Sequence, residues 1–228
     1  MPAEPTAQTD PIASTGEASA TRRAYDAIRQ LIITGAIPPG QKLKIEDLRA
    51  VVQSGASPVR EALSLLTSDL LVERIDQRGF RTAPVSGREF DDILRMRCLL
   101  ERIALEDSLA HAGQDWEDAL VLAHHRLSRS GREDAEAFEA SHRAFHMALL
   151  AGCQSPILLK FCTQLYDLNI RYRYLAGRTL SYGTRDVARE HREIFEAAVA
   201  RDAETAAARL LKHYRDTGAW LKASFATE

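Results

Sequence analysis

His142 and His146 stand four residues apart, so on a helix both imidazoles share one face and can hold a single metal ion. Phe138, Phe145 and Leu149 flank them, which turns that face inward. His191 heads an apolar stripe with Ile194, Phe195 and Ala198, and His213 lies in another with Ala206, Leu210 and Thr217. Three helices thus direct imidazole toward one interior. Imidazole suits zinc, nickel, copper and iron, whereas magnesium and calcium prefer oxygen donors. Hydrogen-bonded core histidines would give the same pattern, and at this level both readings stand. His124 and His125 are a contrast: adjacent helical residues point about 100° apart and cannot chelate one ion. Those two are assigned to solvent, as is His111 near a helix end.

A second chemistry lies in the first third of the chain. Around Ser57-Pro58-Val59-Arg60-Glu61, Ser57 can cap a helix, Pro58 fits the first helical position, and Glu61 favours the positive helix end. Val59, Leu63 and Leu66 form the inward stripe, which leaves Arg60 on another face. Arginine is the side chain best suited to the O6 and N7 atoms of guanine. A hairpin over 71–75 and 80–83 would carry Arg78 and Gly79 at its tip, where glycine permits close backbone approach.

The elements that must position these residues follow from periodicity. Residues 1–18, rich in Ala, Pro, Thr, Ser and Gly, are expected to be a flexible tail. A helix runs from Thr21 to about Gly35 with Tyr25, Ile28, Leu31 and Ile32 on one face, and Pro38-Pro39-Gly40 forces a turn. A short helix over 45–52 buries Ile45, Leu48 and Val52, Ser54-Gly55 breaks it, and a third helix starts at Ser57. Beyond Ser86 six helices are expected, over 87–112, 115–129, 133–151, 156–177, 182–200 and 202–225. The fold class is mainly α. A winged helix-turn-helix of three helices plus a β-hairpin, over 19–84, precedes an antiparallel six- or seven-helix bundle over 87–225.

Composition narrows the partners. With 45% hydrophobic and 27% charged residues over 228, the chain can build cores and is not disordered throughout. The net charge of −2 is an average over unlike parts: −3 over 1–19, +3 over 20–84 and −2 over 85–228. Apolar runs such as Leu31-Ile32-Ile33 are far too short to cross a bilayer, and no signal peptide opens the sequence. Cys98, Cys153 and Cys162 have neither disulfide-framework nor CxxC spacing. A cytoplasmic protein without a membrane partner is expected. Neither an HExxH helix nor a nucleophile elbow is present, which argues against an enzyme.

Pro38-Pro39-Gly40, Leu43, Leu48, Ser57 through Leu63 (SPVREAL), Leu71-Val72 and Gly79-Phe80 together resemble the GntR family of bacterial transcription regulators. The later stretch, with Arg97 to Glu101, Phe145-His146, Glu190-His191 and Arg201-Asp202 through His213, is similar to the FCD ligand-binding domain of the FadR subfamily. The resemblance implies a homodimeric DNA-binding regulator, with repression expected. Lys44, Ser57, Pro58, Arg60, Arg78 and Gly79 would meet a pseudo-palindromic operator. Two departures bear on which operator: Gln53-Ser54-Gly55-Ala56 lacks a frequent DNA-contacting arginine, and Glu46 stands where some members have another, with Lys44 nearby.

In the FCD family an Asp and three His bind a metal, and a small organic acid commonly sits beside it. His146, His191 and His213 match the three histidines, and His142 occupies the Asp position. That gives either an all-imidazole site or a three-histidine site with His142 turned aside. Lower ligand charge favours zinc, nickel or copper over manganese, with zinc or nickel first. A carboxylate effector also needs a cation, for which Arg97, Arg171 and Arg173 are candidates. Arg171 and Arg173 sit about 200° apart on a helix, so one of the two is expected to face inward. The alternatives are a bundle that acts as a metal-dependent enzyme, or one that only dimerises.

Overall fold

The computed structural model describes residues 13–131, 133–176 and 185–225. The chain divides after Pro84 into two compact units. Among the described residues it forms nine helices and one small antiparallel sheet.

In the first unit, α1 (Ala13–Ile33) begins earlier than expected, reaching into the stretch read as a tail. The local composition explains this, since Ala13-Ser-Thr-Gly-Glu-Ala-Ser-Ala contains three alanines and a glutamate, all good helix formers. The rest of that expected tail lies outside the described residues. At the other end Gly35 takes φ +80, and the Ile37 amide reaches back to the Leu31 carbonyl at 3.0 Å, closing the helix around a left-handed glycine.

The turn at Pro38-Pro39-Gly40 leads into β1 (Lys42–Leu43), which pairs with β3 (Gly79–Thr82), and β3 also pairs with β2 (Val72–Ile75). The expected two-stranded hairpin is thus a three-stranded sheet in the order β1-β3-β2. Thr82 makes the third strand possible. Its hydroxyl donates to the Pro38 carbonyl at 2.6 Å and accepts from the Gln41 amide at 2.9 Å.

Between β1 and β2 lie α2 (Ile45–Val52) and α3 (Ala56–Ser68). Ser57 is not the cap of α3. Gly55 is the N-cap, and the helix starts one residue before Ser57. Pro58 is then the third helical residue, where its missing N–H still costs nothing, because the first four amides have no partner within the helix. Ile28, Ile32, Val59, Leu63 and Leu66 are wholly buried and join α1 to α3.

The second unit holds α4 (Gly87–His111), α5 (Gln114–Arg129), α6 (Ala135–Leu150), α7 (Pro156–Leu175), α8 (Val187–Val199) and α9 (Ala203–Phe225). Side-chain caps fix five of the starts, with Asp202 accepting from the Thr205 amide at 3.0 Å before α9. Ser86, Asp134, Ser155 and Asp186 accept from the Glu89, Glu136, Leu158 and Arg189 amides at 3.0–3.2 Å. α8 thus begins later than the expected residue 182; residues 182–184 lie outside the described part. α4 packs on α7 and α9, α8 on α9, and α5 on α6 and α8. Leu105, Leu120, Phe145, Leu149, Ile194 and Leu210 are fully buried between them. Among the described residues no helix is long and apolar enough to cross a membrane.

Candidate functional site

On α3 the side chains of Ser57 and Arg60 are exposed, while Pro58 is buried among the apolar residues. Pro58 therefore shapes the helix start rather than offering a surface. Glu61 is also used internally: its carboxylate accepts from the Thr21 hydroxyl at 2.9 Å, tying α3 to α1. Lys44 is exposed at the N-cap of α2. Arg78 and Gly79 are exposed at the hairpin tip, where Gln77 (φ +54) and Gly79 (φ +90) both need the left-handed region. Three other bases of this unit are committed to carboxylates, Arg22 to Asp26, Arg49 to Glu46 and Arg81 to Glu73.

In the second unit α6, α8 and α9 bring His142, His146, His191 and His213 together, with one ring nitrogen of each lying within 4.8 Å of the others. All four are buried. Burial lowers the pKa of each, reinforced by neighbouring positive charge, and at His213 it outweighs the pull of Glu190. The rings are therefore neutral near pH 7, as metal coordination requires.

What lies behind the rings orients them. His213 Nδ1 meets Glu190 Oε2 at 2.7 Å, and Arg185 holds the same carboxylate. His146 Nδ1 lies 3.1 Å from the Tyr214 hydroxyl, which donates in turn to Glu101. His142 Nδ1 lies 2.8 Å from the Tyr166 hydroxyl. With the Nδ1 atoms engaged outward, His142 and His146 direct Nε2 toward each other at 3.1 Å. His191 Nε2 is buried without a hydrogen-bond partner among the described residues. Converging neutral imidazoles with one orphaned nitrogen fit a borderline-soft divalent ion.

Arg97, Arg171 and Arg173 are all buried. The expectation that only one of the pair on α7 turns inward does not hold for burial, because residues 166–173 are covered all round the helix. Arg173 does reach the histidines. Arg173 Nη2 pairs with Glu139 at 2.7 Å, and its Nη1 stands 3.5 Å from His142 Nδ1. Arg171 is lowered in pKa chiefly by burial, with the nearby Glu89 carboxylate opposing that shift. Arg97 donates to Glu101 at 2.6 Å and to Asn169 at 2.9 Å, while its Nη2 is buried with no hydrogen-bond partner among the described residues. The Glu139 carboxyl, desolvated by burial and pulled back only in part by Arg173, is pushed up to about 7.

Glu101, Glu139, Tyr166, Asn169, Glu190 and Tyr214 thus belong to the site although the sequence did not single them out. Some signal was there, since Glu101 lies four residues after Arg97 and Glu139 three before His142. His124 also departs from expectation. It is half-buried and stacks on Phe195 with ring centres 4.3 Å apart, and burial lowers its pKa. Phe195 gives that face of α5 an aromatic cover that sequence neighbours could not reveal. His111 and His125 are exposed.

Comparison with known proteins agrees with both halves. Residues 20–81 match the family described as bacterial regulatory proteins, gntR family, and residues 92–216 match the FCD domain. The chain is 34% identical over 214 residues to the HTH-type transcriptional regulator BphR of Paraburkholderia xenovorans, covering 91% of this chain and 87% of that one. It is 32% identical over 197 residues to the HTH-type transcriptional repressor GlaR of Escherichia coli, covering 83% and 90%. Among solved structures it resembles E. coli McbR/YncC with a TM-score of 0.77 at 20% identity, over 90% of this chain and 98% of that one, which shows the fold.

Proposed function

The chain belongs to the GntR family of bacterial transcription regulators and carries an FCD domain, and from that premise we propose a metal-containing repressor whose hold on its operator is changed by a small carboxylic acid. The family makes it a DNA-binding regulator and not an enzyme. We place it in the FadR subfamily and in the cytoplasm. Repression is the mode named for its E. coli relative GlaR.

The observation that carries this reading is the group of four buried, neutral histidines in the FCD unit. His142, His146, His191 and His213 would hold the ion, and an all-imidazole donor set favours zinc or nickel. When bound, the ion supplies a positive charge for the acid's carboxylate. Arg97, through its remaining Nη2 arm, and Arg173, by exchange from Glu139, supply the cations beside it. Arg171, buried on the same helix as Arg173, is the third candidate cation.

In the winged unit Arg60 reads base edges at the exposed start of α3. Ser57, Lys44 and the Arg78-Gly79 tip hold the backbone around it, with Pro58 fixing the start of the helix. A pseudo-palindromic operator needs two copies of the chain. Leu99 and Ile103 on α4, with Ile157 and Phe161 on α7, are 49–71% exposed on two helices that pack together. That apolar face supports homodimerisation.

Two measurements test the proposal. Protein purified without chelators carries about one ion per chain, and the His146→Ala/His191→Ala variant carries none; equal metal content in both rejects the site. In gel shifts with DNA flanking its own gene, carboxylic acids weaken the complex and Arg60→Ala lowers operator affinity and relaxes sequence preference. Unchanged specific binding by Arg60→Ala rejects the assigned role of α3.

A further inference from the structure

Arg97 is the hub of the layer behind the histidines. Two of its arms are fixed, Nε on Glu101 at 2.6 Å and Nη1 on Asn169 at 2.9 Å. Its guanidinium carbon lies 4.0 Å from the Tyr214 ring centre and 4.8 Å from that of Tyr166, so the group is held between two aromatic faces. Those are the two tyrosines whose hydroxyls meet His146 and His142. Glu101, wholly buried, turns one oxygen to Arg97 and accepts the Tyr214 hydroxyl proton on the other.

Proton counting then fixes His146. A carboxylate only accepts, and a hydroxyl has one proton to give. With that proton on Glu101, the Tyr214 oxygen presents only lone pairs to His146 Nδ1, 3.1 Å away. Nδ1 must carry the ring proton, and a neutral imidazole has no second one. His146 Nε2 is left bare, facing the other three rings. Glu190 imposes the same order on His213 directly. His142 differs, because Tyr166 and the donor-only Arg173 both approach its Nδ1, with Glu139 Oε2 at 3.6 Å as the competing acceptor.

We propose that Arg97, Glu101 and Tyr214 are positioning residues that lock His146 in the Nδ1–H tautomer and so set the affinity of the site for its ion. The affinity part rests on the metal reading above; the tautomer part does not. Removing one link frees the ring to populate both tautomers, and losing such an outer partner typically costs about 10–100-fold in metal affinity.

The test uses full-length protein labelled with 15N-histidine. In two-bond proton–nitrogen spectra of the metal-free wild type, His146 shows the Nδ1–H pattern alone, and in Tyr214→Phe it shows a mixture of tautomers. Zinc affinity, measured by competition with a chromogenic chelator, falls about 10–100-fold in Tyr214→Phe. Tyr172→Phe, whose hydroxyl bonds Ser86 and Glu89 instead, leaves both readings unchanged. If Tyr214→Phe fails to fold, Glu101→Gln gives the same two readings. An unaltered His146 tautomer together with wild-type zinc affinity overturns the proposal. A tautomer change in Tyr214→Phe, together with a wild type that binds no zinc, supports the lock and overturns the metal reading instead.

Discussion

The two units place their chemistry on opposite sides of the water boundary. In the winged unit Lys44, Ser57, Arg60, Arg78 and Gly79 are exposed, and the interior is hydrocarbon apart from Thr21 and Thr82. In the bundle four histidines, three arginines and two glutamates are buried, and hydrogen bonds or ion pairs orient His142, His146, His213, Arg97 and Arg173. A groove reader must leave its donors open for a ligand that brings its own acceptors. A buried ion site must neutralise and orient its ligands beforehand, because an unpaired charge in a dry interior costs several kcal/mol. Substitution is therefore expected to act differently in the two units.

The sharpest way to break that contrast is through the cores. Phe145→Ala is expected to cost about 3–5 kcal/mol. Because Phe145 packs 5.4 Å from both His146 and His191, it should also lower metal content. Leu63→Ala in the winged unit, costing about 2–5 kcal/mol, should leave metal content unchanged. Thermal unfolding combined with elemental analysis separates the two, and a metal loss in Leu63→Ala would erase the distinction.

Next in size is Arg60→Ala. Loss of a base-edge contact is worth about 1–3 kcal/mol of operator affinity and should relax sequence preference. The same variant should melt like the wild type, since the side chain is exposed. Titrations with specific and scrambled DNA measure the first effect, and calorimetry the second.

Acid separates the units further. The four bundle histidines have folded pKa values below the ordinary 6.5, chiefly through burial. Above that value both folded and unfolded states are neutral and the associated stability is fully present. As pH falls below it the unfolded chain binds protons that the fold refuses, so stability is lost. The slope is about 1.4 kcal/mol per pH unit for each proton taken up in excess. Residues 20–84 contain no histidine, so the winged unit should be flat through this window. Chemical denaturation of metal-free protein between pH 7 and 5, followed by reporters in each unit, checks the difference.

The smallest effect expected is Arg81→Ala, which removes the half-exposed pair with Glu73 across β2 and β3. It should cost about 0–1 kcal/mol. A larger loss would mean that the sheet depends on charge more than its exposure implies.

The winged unit was legible element by element, because its signals are local. Proline and glycine mark the turn at 38–40, and Val59, Leu63 and Leu66 repeat at helical spacing. Three departures occur here, one of them the start of α1 at Ala13 inside the expected tail. At the start of α3, Gly55 took the cap that Ser57 was expected to fill. β1 is not legible because two residues carry no alternation, and what holds the strand is its pairing with β3 and the Thr82 hydroxyl, some forty residues later. In the bundle the four histidines could be named from apolar stripes, but the groups behind them could not. Tyr214 is one of six tyrosines, and nothing around it in sequence distinguishes it. Its role comes from Glu101, 113 residues away.

By itself the sequence determined the order of helices, the division near residue 85, the faces bearing Arg60 and the four histidines, and the family. These follow from periods of a few residues and short contiguous motifs, which need no knowledge of what lies opposite. Tertiary structure alone decided that Arg171 and Arg173 are both buried, that Glu139 and Glu101 already occupy Arg173 and Arg97, and that His146 is backed by a tyrosine. Each of these concerns one hydrogen-bond partner on another helix. A displacement of an ångström or two in helix packing would exchange one partner for another, and no local pattern in the chain encodes that distance.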